Sequence, residues 1–207
     1  MFCNIMQGMD NTAERLINLA RSHGLIRPRD LAPLGISRVS LSRAVQRGEL
    51  ERVGRGLYGL PGRDVSAHGS LAEVASRVPK GIVCLLSALR FHGLTTQAPF
   101  EVWLAIDNKA IAPQLDYPRL RIVRFSGVAL TEGVENHIVD GVNIRVTNVA
   151  KTVADCFKYR NKIGLDVALE ALREAWHEKR MTSDDIWRYA KVCRVANVMR
   201  PYLESLA

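Results

Sequence analysis

The chain has 207 residues, 47% of them hydrophobic, and a formal net charge of +8. That is enough length and apolar content for one large or two small domains with their own cores, and too much for a disordered chain. No segment has the apolar length of a membrane span, and the N-terminus lacks the basic start and apolar run of a signal peptide, so a cytoplasmic protein is expected.

The four cysteines, Cys3, Cys84, Cys156 and Cys193, form no Cys-x-x-Cys pair and read as reduced thiols. The charge is unevenly spread. Residues 12–63 hold ten Arg, no Lys and four acids, a balance of +6, whereas residues 64–207 hold nineteen basic and sixteen acidic residues, a balance of +3. Arginine without lysine suits bidentate contacts to phosphate and guanine better than it suits a merely soluble surface.

Residues 1–10 read as a disordered tail, with Met9 as an alternative start. Asn11-Thr12-Ala13-Glu14 has the spacing of a capping box, and Ala13, Leu16, Ile17 and Ala20 form an apolar stripe that ends at Gly24. Pro28 suits the first turn of a second, short helix that turns Leu31 and Leu34 inward. Leu34-Gly35-Ile36 leads into a third helix with Ser37 as N-cap. On that helix Leu41, Ala44, Val45 and Gly48 face the core, Val39, Ser42, Arg43 and Gln46 point away, and Arg38, Ser40 and Arg47 flank them. Two β-prone runs, Leu50 to Val53 and Leu57 to Leu60, joined by Gly54-Arg55-Gly56, predict a basic hairpin. Helix, helix, turn, helix and hairpin together predict a winged helix-turn-helix domain over residues 11–62, with the boundary in the linker-like Pro61-Gly62-Arg63-Asp64-Val65-Ser66.

Residues 63–207 predict a mixed α/β domain ending in a helical bundle, so the fold class is α/β (α+β). Ser70 to Val78 and Ile82 to His92 are helical candidates, the second stopped by Gly93. Glu101 to Asp107, Leu120 to Phe125 and Val142 to Val146 read as strands. Val149, Val153 and Phe157 line one later helix, and Leu165, Leu169, Leu172 and Trp176 the next. Thr182-Ser183-Asp184-Asp185 caps a third, carrying Ile186, Tyr189, Ala190 and Cys193. Pro201 is expected to kink or restart the last helix. Trp103, Trp176 and Trp187 sit in apolar patterns and read as core.

A search for catalytic chemistry yields one fragment. Asp107-Asn108-Lys109 at a strand end matches half of a metal-dependent nuclease site, and Asp107 with Lys109 is the catalytic alternative. No acid occurs between Glu73 and Glu101, where a partner strand would supply the second carboxylate, so the tripeptide reads first as a turn. The five histidines lack metal-ligand spacing, and His23 and His92, each before a glycine, read as helix-end residues complementing the dipole. No P-loop and no Gly-x-Ser-x-Gly is present. The chain is therefore expected to be no enzyme and to need no cofactor or metal.

The leading expectation is sequence-specific binding to double-stranded DNA. Arg38, Ser42, Arg43 and Gln46, flanked by Ser40, are the candidates to read base edges, and Arg47, Arg52 and Arg55 to hold phosphates or enter the minor groove. Arg27 and Arg29 are weaker phosphate candidates. Lys151, Lys158, Arg160 and Lys162 form a candidate secondary surface for DNA or an acidic partner. Lys151 and Asp155, one helical turn apart, also fit an ordinary surface ion pair. No membrane partner is expected, and the chain acts either as a homodimer or as monomers binding cooperatively.

With the wing Arg52-Val53-Gly54-Arg55-Gly56-Leu57-Tyr58, then Ser87-Ala88-Leu89-Arg90-Phe91-His92-Gly93-Leu94-Thr95 and Val149-Ala150-Lys151-Thr152-Val153-Ala154-Asp155, the chain resembles the AbiEi antitoxins of type IV toxin–antitoxin (abortive infection) systems. The resemblance, carried by the order of these motifs over nearly the whole chain, implies an N-terminal winged helix-turn-helix joined to an antitoxin domain. It further implies repression of the protein's own operon through inverted repeats, and counteraction of a nucleotidyltransferase-like toxin encoded alongside. A regulator without a toxin partner is the alternative.

Overall fold

The computed structural model describes residues 3–54, 56–62 and 68–206, with side chains from Thr12 onward. The chain divides into two compact units, one of Met1–Ser76 with Ile138–Asn143, the other of Arg77–His137 with Ile144–Ala207. The first unit extends to Ser76, past the Pro-Gly segment beginning at residue 61.

In the first unit α1 (Cys3–His23), α2 (Pro28–Leu31) and α3 (Arg38–Gln46) precede a hairpin of β1 (Glu51–Gly54) and β2 (Leu57–Gly59), followed by α4 (Gly69–Arg77). The expected tail is helical from Cys3, so Asn11 to Glu14 lies inside α1 and does not start it. The predicted stripe does the packing. Leu16, Ala20, Ile26, Leu31, Ile36, Leu41, Ala44 and Leu50 form one buried cluster, with Leu19, Val45, Tyr58 and Leu60 against it. Each fully buried leucine contributes about 1.5–3 kcal/mol. Pro28 opens α2 as expected. Leu34, however, is exposed, because a 3-10 turn over Ala32–Leu34 tightens the chain after Leu31 and swings it outward. Gly35, at φ 66°, then makes the left-handed turn that sends the chain into α3.

The second unit is built on a five-stranded sheet of order β5-β4-β3-β7-β6, where β3 is Ile82–Val83, β4 Val102–Asp107, β5 Leu120–Phe125, β6 Val134–Val139 and β7 Val142–Thr147. β3 runs antiparallel to β4 and parallel to β7, and β4 runs parallel to β5. Ile82 and Val83 were expected to open a helix; they form the central strand, and the helix α5 (Leu85–Phe91) begins only after Cys84. A continuous apolar run does not distinguish buried strand from buried helix, and the partners of β3 lie far along the chain.

After the short helix α6 (Val128–Thr131) and the β6–β7 hairpin, the chain is helical: α7 (Val149–Lys158), α8 (Arg160–Ile163), α9 (Leu165–His177), α10 (Ser183–Val192) and α11 (Ala196–Glu204). α7 packs against α5, α9, α10 and α11, and its residues 150–157 are all buried. α9 turns Val167, Ala168, Ala171, Leu172 and Ala175 to the core and leaves Leu165 exposed. Its buried face joins these alanines, small enough to admit a close approach to α7, to Leu172, and Leu169 and Trp176 of the predicted stripe pack against the same core, so that only Leu165 departs from it. α10 has the expected capping box, Thr182 with Asp185. α11 passes through Pro201 without a break, and the carbonyl of Asn197 that loses its donor belongs to an exposed residue that water can serve.

Candidate nucleic-acid interface

α3 starts where its sequence says it should. The Ser37 hydroxyl accepts the backbone N–H of Ser40 at 3.1 Å and lies 3.0 Å from the Ser40 hydroxyl. Leu41 and Ala44 anchor one side of the helix in the core. The opposite side presents Arg38, Val39, Ser42, Arg43, Gln46 and Arg47, all exposed. Ser40 departs from the expected set: it is half-buried, and its hydroxyl is engaged at the cap. Gly48, expected in the core, is exposed.

The hairpin is tied to the helices by Ile26, whose N–H donates to the Tyr58 carbonyl at 2.9 Å and whose carbonyl accepts the Tyr58 N–H at 3.0 Å. Arg52 stands opposite Tyr58 in the β1–β2 register, is exposed, and donates from Nε to the Gly54 carbonyl at 3.3 Å. Pairing is irregular between Arg52 and Gly54. Arg55, the expected wing-tip contact, lies outside the described residues.

The two weaker phosphate candidates separate. Arg27 donates from Nε to Asp30 at 3.0 Å and from a terminal nitrogen to the Ser76 carbonyl at 2.8 Å, so its guanidinium staples the first unit internally and is withdrawn from phosphate binding. Arg29 stays largely exposed. Two residues that the sequence reading passed over belong to the site's framework. Arg15 on α1 donates to the Leu34 carbonyl at 3.0 Å, bracing the turn before α3. Glu49, just past α3, lies 3.7 Å from Arg47. Neither has a local spacing that marks it, since Arg15 reaches nineteen residues along the chain.

The expected secondary surface loses its first member. Lys151 is fully buried; its ammonium is 2.5 Å from Asp155 and 4.5 Å from the centre of the Phe125 ring. The pair is a core feature and not the surface ion pair its spacing suggested. Burial pushes the Asp155 carboxyl up from its ordinary value, the Lys151 ammonium pulls it back, and the Cys193 thiol donates to its other oxygen at 3.1 Å. Burial likewise raises the Cys84, Cys156 and Cys193 thiols, keeping them protonated and free. Lys158 and Lys162 are exposed, whereas Arg160 is half-buried and donates to the Phe157 carbonyl at 2.9 Å.

Asp107 closes a turn, its carboxylate accepting the Lys109 N–H at 2.8 Å, while Arg124 clamps the carbonyls of Asn108 and Ala110 at 2.9 Å each. Among the described residues no group of three His, Cys, Asp or Glu is placed to hold a metal. His23 sits at its helix end as expected, 3.3 Å from the Leu19 carbonyl. His92 also sits at its helix end, as the C-cap of α5, but its Nε2 lies 2.7 Å from the Thr147 carbonyl and burial lowers its pKa, favouring a neutral ring over one that charges against the dipole. Of the tryptophans, Trp103 is buried and Trp176 and Trp187 are half-buried against the same core.

Three helices, the last with a polar, arginine-bearing outer face, followed by a two-stranded wing, define the first unit as a winged helix-turn-helix. Residues 14–61, from within α1 to just past β2, match the family model described as transcriptional regulator, AbiEi antitoxin. That is the family the chain's motifs resemble; the motifs at Ser87–Thr95 and Val149–Asp155 lie outside the matched segment. No curated protein matches the chain, and no helix among the described residues is long and apolar enough to cross a membrane.

Proposed function

We propose that the protein is a DNA-binding transcriptional repressor and antitoxin that controls its own operon and counteracts a nucleotidyltransferase-like toxin encoded beside it. The observation that carries the DNA-binding half is the exposed row Arg38, Ser42, Arg43 and Gln46 on a capped helix anchored by Leu41 and Ala44, with Arg52 on the adjoining wing. Arginine and glutamine there suit the acceptor edges of guanine and adenine in a major groove. Arg47, Arg52 and Arg55 supply phosphate contacts, which position the domain without reading sequence. The antitoxin half rests on the family match over residues 14–61 and on the motif resemblance beyond it.

Footprinting on the DNA upstream of the gene tests the first half, with protection expected over an inverted repeat bound by a homodimer or by cooperating monomers. Arg43→Ala should cost about 1–3 kcal/mol and relax sequence preference, whereas Arg55→Ala should weaken binding to all sequences and flatten the salt dependence. Unchanged binding in both variants refutes the assignment. Co-expression with the neighbouring gene tests the second half: rescue of growth that survives deletion of residues 1–62 places neutralisation in the remainder of the chain.

A further inference from the structure

Directly after α3, Glu49 is held in place by its backbone. Gly48 makes a left-handed turn at φ 72°, the Glu49 N–H donates to the Ala44 carbonyl at 3.0 Å, and Leu50 is buried in the core. The carboxylate is thereby directed into a dent of about 60 Å³ lined by Thr12, Ala13, Ser40, Arg43 and Arg47. One carboxylate oxygen, Oε1, is 3.7 Å from Arg47. The other, Oε2, is shut off from solvent and has no hydrogen-bond partner. A buried carboxylate oxygen without a donor is costly, and such groups in native folds call for an explanation. The cations lining the same dent are two of the arginines assigned to DNA.

Resting on the DNA-binding reading above, we propose that Glu49 is a positioning residue that holds Arg47 in the unbound protein, and so suppresses binding to duplexes of unrelated sequence. Any phosphate that takes Arg47 must pull it off Glu49 and leave a carboxylate facing the polyanion. A duplex offering backbone contacts alone bears this cost without compensation. One whose bases also engage Arg38, Ser42, Arg43 and Gln46 offsets it. Glu49 therefore acts as a brake on affinity: every duplex that takes Arg47 carries the same cost, which leaves non-specific association weak while the operator's base contacts still outweigh it.

The test is Glu49→Gln, which keeps size and hydrogen-bonding capacity and removes the charge. Binding is measured on the upstream DNA and on a short duplex of scrambled sequence across a salt series, in the wild-type and Arg47→Ala backgrounds, with a melting curve to confirm folding. Glu49→Gln should tighten scrambled-duplex binding by about threefold to fivefold, the scale of a released surface ion pair, and steepen its salt dependence. The gain on the upstream DNA should be of similar size, and both gains should vanish once Arg47 is alanine. An unchanged affinity for scrambled DNA, or an equal gain with and without Arg47, overturns the inference. If Arg43→Ala and Arg47→Ala themselves leave DNA binding intact, it is the DNA-binding reading that fails.

Discussion

Replacing Lys151 by methionine probes the core of the second unit most sharply, because it removes a charge while keeping a long, unbranched side chain. In the wild-type protein the two strongest influences lowering the Asp155 pKa both come from Lys151, its charge and its hydrogen bond. Without them a fully buried carboxyl keeps only the Cys193 thiol on one oxygen. It then folds protonated. Holding a carboxyl of ordinary pKa 3.8 neutral at about pH 7 costs about 1.4 kcal/mol for each intervening pH unit, or about 4 kcal/mol, an upper limit on the loss because burial already raises the same carboxyl in the wild-type protein. That agrees with the ~3–5 kcal/mol typical of breaking a buried ion pair from one side.

The sign follows from linkage. In the variant the folded-state pKa lies above the unfolded one, so the folded state binds more protons between the two values and stability falls as pH rises through that window. The deficit relative to wild type should therefore shrink to about 1 kcal/mol or less near pH 4.5. All three tryptophans, Trp103, Trp176 and Trp187, lie in the second unit, so their fluorescence during urea unfolding reports that unit. The double variant Lys151→Met/Asp155→Leu should recover most of the loss. A deficit under about 1 kcal/mol near pH 7, or one that does not change with pH, refutes the reasoning.

Other consequences can be measured on the same footing. Ser37→Ala removes the acceptor for the Ser40 N–H and should cost about 0.5–2 kcal/mol, read as a lower urea midpoint for the first unit by circular dichroism. Thr182→Ala, at the start of α10, should cost a similar amount in the second unit, followed by tryptophan fluorescence. His92, neutral by burial and bonded to Thr147, has a folded-state pKa below its ordinary 6.5. Its contribution is present above that value and is lost as pH falls below it toward the folded-state pKa, so His92→Gln should flatten the stability profile of the second unit in that range. Arg27→Ala breaks the bonds to Asp30 and Ser76 and should lower the stability of the first unit, yet leave the salt dependence of DNA binding unaltered. A reduced salt slope in that variant would return Arg27 to the DNA surface.

Features that depend on residues a few positions apart could be read directly from the amino-acid order. Ser37 and Thr182 cap α3 and α10 because a side-chain oxygen meets an N–H three residues on. Leu41 and Ala44 pack, and Arg38, Ser42, Arg43 and Gln46 project, because a helical turn separates the two groups. The winged helix-turn-helix and the outline of its exposed arginine-bearing side follow from such short-range regularities.

Whatever depends on distant partners waited for the tertiary structure. Lys151 and Asp155 have the spacing of a solvated pair, and only the packing of α5, α9, α10 and α11 around α7 puts them in the core. Ile82 and Val83 become a strand because β4 and β7 flank them. Arg27 is withdrawn by a carbonyl forty-nine residues away, and Glu49 gains its meaning from the dent that α1 and α3 form around it. Local order specifies which conformations and faces a segment favours; burial, and with it the fate of every charge, is a property of the assembled neighbours.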